Sequence, residues 1–163
     1  TLTYQIGTRN AGTTLRLVLP CVQAEHRPDE GDDAPIEALP TGLHVLLVED
    51  DAEVRSVARH FLAALGCQVS ACVNGEEALP LLVQTAGFDV LLTDIALGAG
   101  MRGTDLAQRA RALRPELPVL LMSGFSSTLL EAPAGWDLLH KPYSRDELAR
   151  ALARVLGPRR TAS

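Results

Sequence analysis

Apolar and polar positions alternate along this chain in two rhythms. Short apolar runs predict strands at Leu43–Val48, Gln68–Val73, Phe88–Thr93, Pro118–Met122 and Trp136–His140. Between them lie stretches with helical spacing. Ala52–Leu65 puts Val54, Val57, Ala58, Phe61, Leu62 and Leu65 on one face, and Gly66 ends it. Asn74 is placed to cap a helix through about Thr85, with Glu77 at the capping-box position. Thr104–Leu113 is helical and stops before Pro115. Ser144, with Glu147 three residues on, caps a last helix that Gly157-Pro158 closes. Ser126–Glu131 has room for about two turns, so the fourth helix of the series is expected to be short or irregular. Five apolar strands alternating with helices predict an α/β fold, a doubly wound parallel sheet covered on both faces.

Two segments precede this alternation. Residues 21–42 hold Pro28, Pro35 and Pro40 among Glu25, Asp29, Glu30, Asp32, Asp33 and Glu37. Proline and like-charge repulsion oppose packing there, so the stretch reads as a linker. In residues 1–20, Leu15, Leu17 and Leu19 alternate with Arg16 and Val18, which predicts a strand, and Gly12 turns the chain from an earlier one at Thr3–Ile6. The chain begins at Thr1 rather than Met and reads as a piece of something longer.

Composition narrows the choice. Apolar residues make up 47% of the chain, enough for a core, and only 4% is aromatic, so that core is Leu, Val and Ala. The formal charge is −5. Arginines 102, 109, 111 and 114 interleave with Asp105 and Glu116 as the polar face of a helix, so no basic patch invites nucleic acid. No apolar stretch is long enough to span a bilayer, so no direct membrane insertion is expected. Cys21, Cys67 and Cys72 have neither metal-like spacing nor an even count, for which a reducing, cytoplasmic setting is the simplest account. None of His26, His44, His60 and His140 has a partner at ligand spacing.

The chemistry gathers at strand ends. Glu49-Asp50-Asp51 follows the first strand, Asp94 the third, Ser123 the fourth and Lys141 the fifth. In a sheet of order 2-1-3-4-5, strands one and three meet at the switch point and all four ends open onto one crevice. Carboxylates at Glu49, Asp50 and Asp94 suit magnesium. A hydroxyl and an ammonium suit the oxygens of a transferring phosphoryl group. Each residue also has a plainer role: Asp94 as a loop cap, Glu49 and Asp50 as a solvated helix start, Ser123 as a turn residue and Lys141 as a surface lysine. Asp51 reads as the cap of the first helix.

VLLVEDDAEVR (45–55), FDVLLTD (88–94), PVLLMSG (118–124) and HKPYS (140–144) stand in order and at a spacing that resembles the receiver domain of two-component response regulators. The resemblance covers about residues 43–157 and leaves 158–163 as a tail. It implies a flavodoxin-like, five-stranded sheet of order 2-1-3-4-5. It also implies Asp94 as phosphoacceptor and Ser123 and Lys141 as catalytic partners. Mg2+ would be held by Glu49, Asp50, Asp94 and the backbone carbonyl of Ala96, and Lys141-Pro142 is a candidate cis bond. The implied partner is a histidine-kinase core or a histidine phosphotransfer domain, and a homodimer stays open.

Four positions depart from the family pattern. Gly98 stands where proline is common, and the loop before Gly103 is one residue longer. Leu138 stands where an aromatic switch residue is common, with Trp136 and Tyr143 as possible substitutes. Ala96 has no polar side chain to orient water, and Phe125 is placed to shield a phosphoryl group, so slow self-dephosphorylation is expected. GTTLRLVLP (12–20) is similar to the final strand of the ATP-binding domain of histidine kinases. In hybrid sensor kinases a receiver follows that strand after a linker, so the chain is expected to be the carboxyl-terminal piece of one. A non-phosphorylated interaction module and a small phosphatase on the same sheet are the alternatives.

Overall fold

The computed structural model describes residues 39–85, 87–98, 100–124 and 135–157. The expectations for residues 1–20, most of the linker, the short helix at Ser126–Glu131, Phe125 and the tail fall outside the described residues. The described elements are β1 (His44–Val48), α1 (Ala52–Ala64), β2 (Gln68–Cys72), α2 (Gly75–Gln84), β3 (Val90–Asp94), α3 (Gly103–Leu113), β4 (Val119–Ser123), β5 (Asp137–His140) and α4 (Arg145–Leu156).

All strand pairs are parallel and the sheet order is β2-β1-β3-β4-β5, as expected. Successive strand residues point to opposite faces, and here both faces are covered. Leu46, Val48, Leu91 and Leu121 pack against Ala78 and Leu82 of α2 and Leu106, Ala107 and Ala110 of α3. Val45, Leu47, Val90, Leu92, Leu120 and Met122 pack against Ala58 and Leu62 of α1 and Leu148, Ala151 and Leu152 of α4. Every residue of β3 and β4 is buried, which explains why the central strands read as continuous apolar runs.

The expected strands three and four are displaced toward their carboxyl ends. Phe88 and Asp89 precede β3; there the Asp89 carboxylate accepts from His44 N at 2.9 Å while the Asp89 N–H donates to His44 O at 2.8 Å. Asp94 is the last residue of β3, paired with Met122, and Ser123 is the last of β4. The α1 face is also narrower than its spacing suggested. Ala58 and Leu62 are buried, whereas Val57 is 51% exposed at the rim.

Caps fix the helix starts. Asp51 accepts from Glu53 N at 2.8 Å and Val54 N at 3.0 Å. Ser144 and Glu147 form a reciprocal capping box. Asn74 accepts from Glu77 N, but Glu77 reaches back to Val73 N, one residue before the box position. Leu39 packs on the α1/α4 side, and Gly42, at φ 78°, donates its N–H to Gly66 O. Among the described residues, no helix is long and apolar enough to cross a membrane.

Candidate functional site

The carboxyl ends of β1, β3 and β4 and the residue after β5 converge. β1 delivers Glu49, 1% exposed, and the exposed Asp50, and β3 delivers Asp94, 7% exposed. One carboxylate oxygen from each lies within 4.8 Å of the others. Lys141 reaches into this cluster, its Nζ 2.6 Å from Glu49 Oε2 and 2.8 Å from Asp94 Oδ2. The Lys141–Pro142 bond is cis.

The electrostatics follow from burial. Burial pushes the Glu49 carboxyl above its ordinary pKa, and the Lys141 hydrogen bond opposes this without overcoming it. Burial alone would lower Lys141, but hydrogen bonds to Asp94 and Glu49 outweigh it and raise the ammonium's pKa. Tyr143, whose hydroxyl donates to Met122 Sδ at 3.2 Å, is pushed up to about 12 by burial and by the nearby Glu49 and Asp94.

The donor chemistry fits a hard divalent cation. All three side chains offer oxygen. Three carboxylates against one ammonium leave two formal negative charges, and the exposed Asp50 keeps the cluster open to water.

Surrounding backbone holds the cluster in shape. Arg55 Nη1 donates to Glu49 O at 2.7 Å and to Asp50 O at 3.1 Å, pinning the turn that carries both acids. Ala96 N donates to Asp94 Oδ1 at 3.3 Å, and Gly98 N to Asp50 Oδ2 at 3.2 Å. Gly103 passes so close to β3 that a Cβ there would lie 1.7 Å from Asp94 O. Glu76 at the start of α2 accepts from Met101 N at 2.8 Å, anchoring the long loop from outside.

The structure joins Glu49, Asp94 and Lys141 by side-chain hydrogen bonds, sets an Asp50 carboxylate oxygen within 4.8 Å of the other two carboxylates, and brings Ala96 to Asp94 by its N–H. Ser123, 2% exposed, lies one residue beyond the strand partner of Asp94 and bonds to His140 Nδ1 at 3.2 Å. Leu138 packs half-buried on the α2/α3 side. Asp51 is engaged in capping. Sequence reasoning missed two residues here. Arg55 drew no reading of its own beyond its place in the string 45–55. His140 was set aside for lack of a metal-like partner, although aligning the ends of strands four and five would have set it opposite Ser123. The arginine face also needs amending. Arg114 donates to Thr85 O and Phe88 O, and Arg111 lies 3.6 Å over the Trp136 ring.

The family model for the response regulator receiver domain matches residues 45–153. The chain is 33% identical over 116 residues to the response regulator receiver protein CpdR of Brucella abortus, covering 69% of this chain and 95% of that one. It is 30% identical over 160 residues to the sensor kinase CckA of the same organism, covering 89% of this chain but only 16% of the kinase. A crystal structure of a receiver protein from Sinorhizobium medicae superposes with a TM-score of 0.64 at 26% identity, covering 71% of this chain and 94% of that one. The chain belongs to the response regulator receiver domain family and is a receiver domain of two-component signalling.

Proposed function

We propose that Asp94 accepts a phosphoryl group from a phosphohistidine. The carrying observation is the Lys141 ammonium held between Glu49 and Asp94 at the edge of the sheet. An Asp94 carboxylate oxygen bonds to phosphorus as the phosphorus–nitrogen bond breaks; the electron pair returns to the ring nitrogen, and the imidazole leaves neutral, keeping the proton already on its other nitrogen. Lys141 is proposed to meet one oxygen of the transferring group, and Ser123 to donate its hydroxyl to another. Glu49, Asp50, Asp94 and the Ala96 carbonyl would hold Mg2+. Bound there, it would offset the repulsion between an anionic acceptor and an anionic donor. Catalysis is then mainly positioning and charge neutralisation.

The proposed donor is a histidine-kinase core or a histidine phosphotransfer domain, and the proposed setting is the cytoplasmic tail of a hybrid sensor kinase. The likeness of residues 12–20 to a kinase strand supports this, as does the 160-residue alignment with a sensor kinase. Residues 1–20 would then end the ATP-binding domain, 21–42 link it, and 43–157 receive the phosphoryl group. Ala96, with no polar side chain near Asp94 to orient water, supports slow self-dephosphorylation. The non-phosphorylated interaction module is the weaker reading, because it gives no use to two buried carboxylates on a lysine, an arrangement costly to desolvate.

The test is intact-mass measurement after incubation with Mg2+ and acetyl phosphate. A gain of one phosphate that disappears in Asp94→Asn is expected. No gain, or a gain that survives the substitution, would overturn the assignment of Asp94.

A further inference from the structure

His140 and Lys141 are adjacent, yet their side chains serve different targets. Lys141 bridges Glu49 and Asp94, while His140 Nδ1 lies 3.2 Å from Ser123 Oγ. Ser123 and His140 stand opposite each other in the β4–β5 register, and Lys141 N donates to Ser123 O at 2.7 Å, fixing this end of the strand pair. Burial differs across the contact. Ser123 is 2% exposed, whereas His140 is exposed to solvent.

A hydroxyl has one hydrogen and two acceptor positions. When Nδ1 carries no proton, Ser123 donates its hydrogen to the imidazole, and that hydrogen is withheld from any oxygen on Asp94. When Nδ1 carries a proton, it donates to Oγ and leaves the hydroxyl hydrogen free. The exposed imidazole can replace a lost partner with water, which a buried hydroxyl does less readily. Among the described residues, His140 is the side chain hydrogen-bonded to Ser123 Oγ.

We infer that His140 is a positioning residue for Ser123, restraining the hydroxyl until a phosphoryl oxygen on Asp94 competes for its hydrogen. The inference rests on the phosphoacceptor reading of Asp94. No covalent bond changes in this step: the hydrogen bond to Nδ1 is exchanged for one to the phosphoryl oxygen. In this account Ser123 is restrained by the residue next to the lysine that contacts the phosphoacceptor.

The test is the phosphorylation rate of the full chain by acetyl phosphate and Mg2+, followed by intact mass. His140→Phe, which removes the competing acceptor, should speed phosphorylation by about two- to tenfold, the range of one neutral hydrogen bond. Ser123→Ala should abolish that acceleration, so that the double variant matches Ser123→Ala alone. His140→Asn, which restores an acceptor, should return the rate toward that of the original chain. Should His140→Phe fail to fold by circular dichroism, His140→Leu makes the same deletion. An unchanged rate in the folded variant overturns the inference, as does an acceleration that persists without the Ser123 hydroxyl. In either case Asp94 still gains phosphate. If the unaltered chain takes none, the phosphoacceptor reading fails and the inference with it.

Discussion

Lys141 and Glu49 form a nearly buried ion pair, Nζ to Oε2 at 2.6 Å, with the Glu49 side chain only 1% exposed. Removing the lysine would leave that carboxylate desolvated and short of its counter-charge. Lys141→Met should therefore destabilise the domain by about 3 kcal/mol. Adding Glu49→Gln should recover most of the loss. Urea midpoints at pH 7 for the two single variants and the double variant check this. Additive losses would mean that the pair is not coupled in stability.

The same pair has a pH signature. Glu49 has a raised pKa in the folded state, so its contribution is fully present below the ordinary value of 4.5 and is lost as pH rises through the raised value. Glu49→Gln removes that slope and should gain on the original chain as pH climbs from 4.5 through the raised value. Lys141 is also raised, so its contribution is present below 10.5 and is lost above it. Tyr143 adds to the alkaline limb, losing its contribution between pH 10 and about 12. Tyr143→Phe should flatten the loss of stability above pH 10. Urea unfolding across both windows reads the slopes directly.

The parts of the domain that sequence made legible are those where one physical rule dominates. β3 and β4 are covered on both faces, so their apolar runs were plain, and the gathering of strand-end residues followed from the topology of a parallel sheet. The start of β3 was blurred because Asp89, just before it, already bonds to His44 through both its carboxylate and its N–H. Arg55 was hidden because its targets are backbone carbonyls, which carry no residue identity. His140 was hidden because it was judged as a metal ligand, whereas its partner is a hydroxyl on the neighbouring strand.

Gly98 in the long loop and Gly103 at the start of α3 should respond very differently to alanine. At Gly103 the new Cβ would lie 1.7 Å from the Asp94 carbonyl oxygen, so the backbone of β3 or α3 must move. A loss of about 2–3 kcal/mol is expected. At Gly98 the nearest atom is Asp50 Oδ2 at 3.1 Å, the end of an exposed side chain that can swing aside. A change within about 0.5 kcal/mol is expected there. Chemical denaturation of the two variants distinguishes them, and equal losses would contradict the described loop path.

Arg55 holds the carbonyls of Glu49 and Asp50 without offering an oxygen of its own. Under the proposed magnesium site, Arg55→Met should weaken Mg2+ binding by about tenfold, as loss of an outer-shell partner does. Isothermal titration with MgCl2 measures it, beside Asp50→Asn as a variant of a proposed ligand. Equal affinity in Arg55→Met and the original chain would show that the turn keeps its shape without the guanidinium.

Trp136 is the only tryptophan of the chain, which makes its contact with α3 directly observable. The Arg111 guanidinium carbon lies 3.6 Å from its ring centroid, covering one face of a half-buried indole. The contact ties the last turn of α3 to the residue just before β5, near the sheet end that carries Ser123 and His140. Arg111→Ala should cost about 0.5–1 kcal/mol, the range for an exposed cation–π pair. It should also shift tryptophan emission to the red as water reaches the uncovered face. Arg111→Lys keeps the charge but not the planar stacking, so it should recover only part of both effects. The Trp136→Leu background supplies the control: there Arg111→Ala should cost nothing further. A full loss in that background would assign the energy to Arg111's other neighbours instead of the ring.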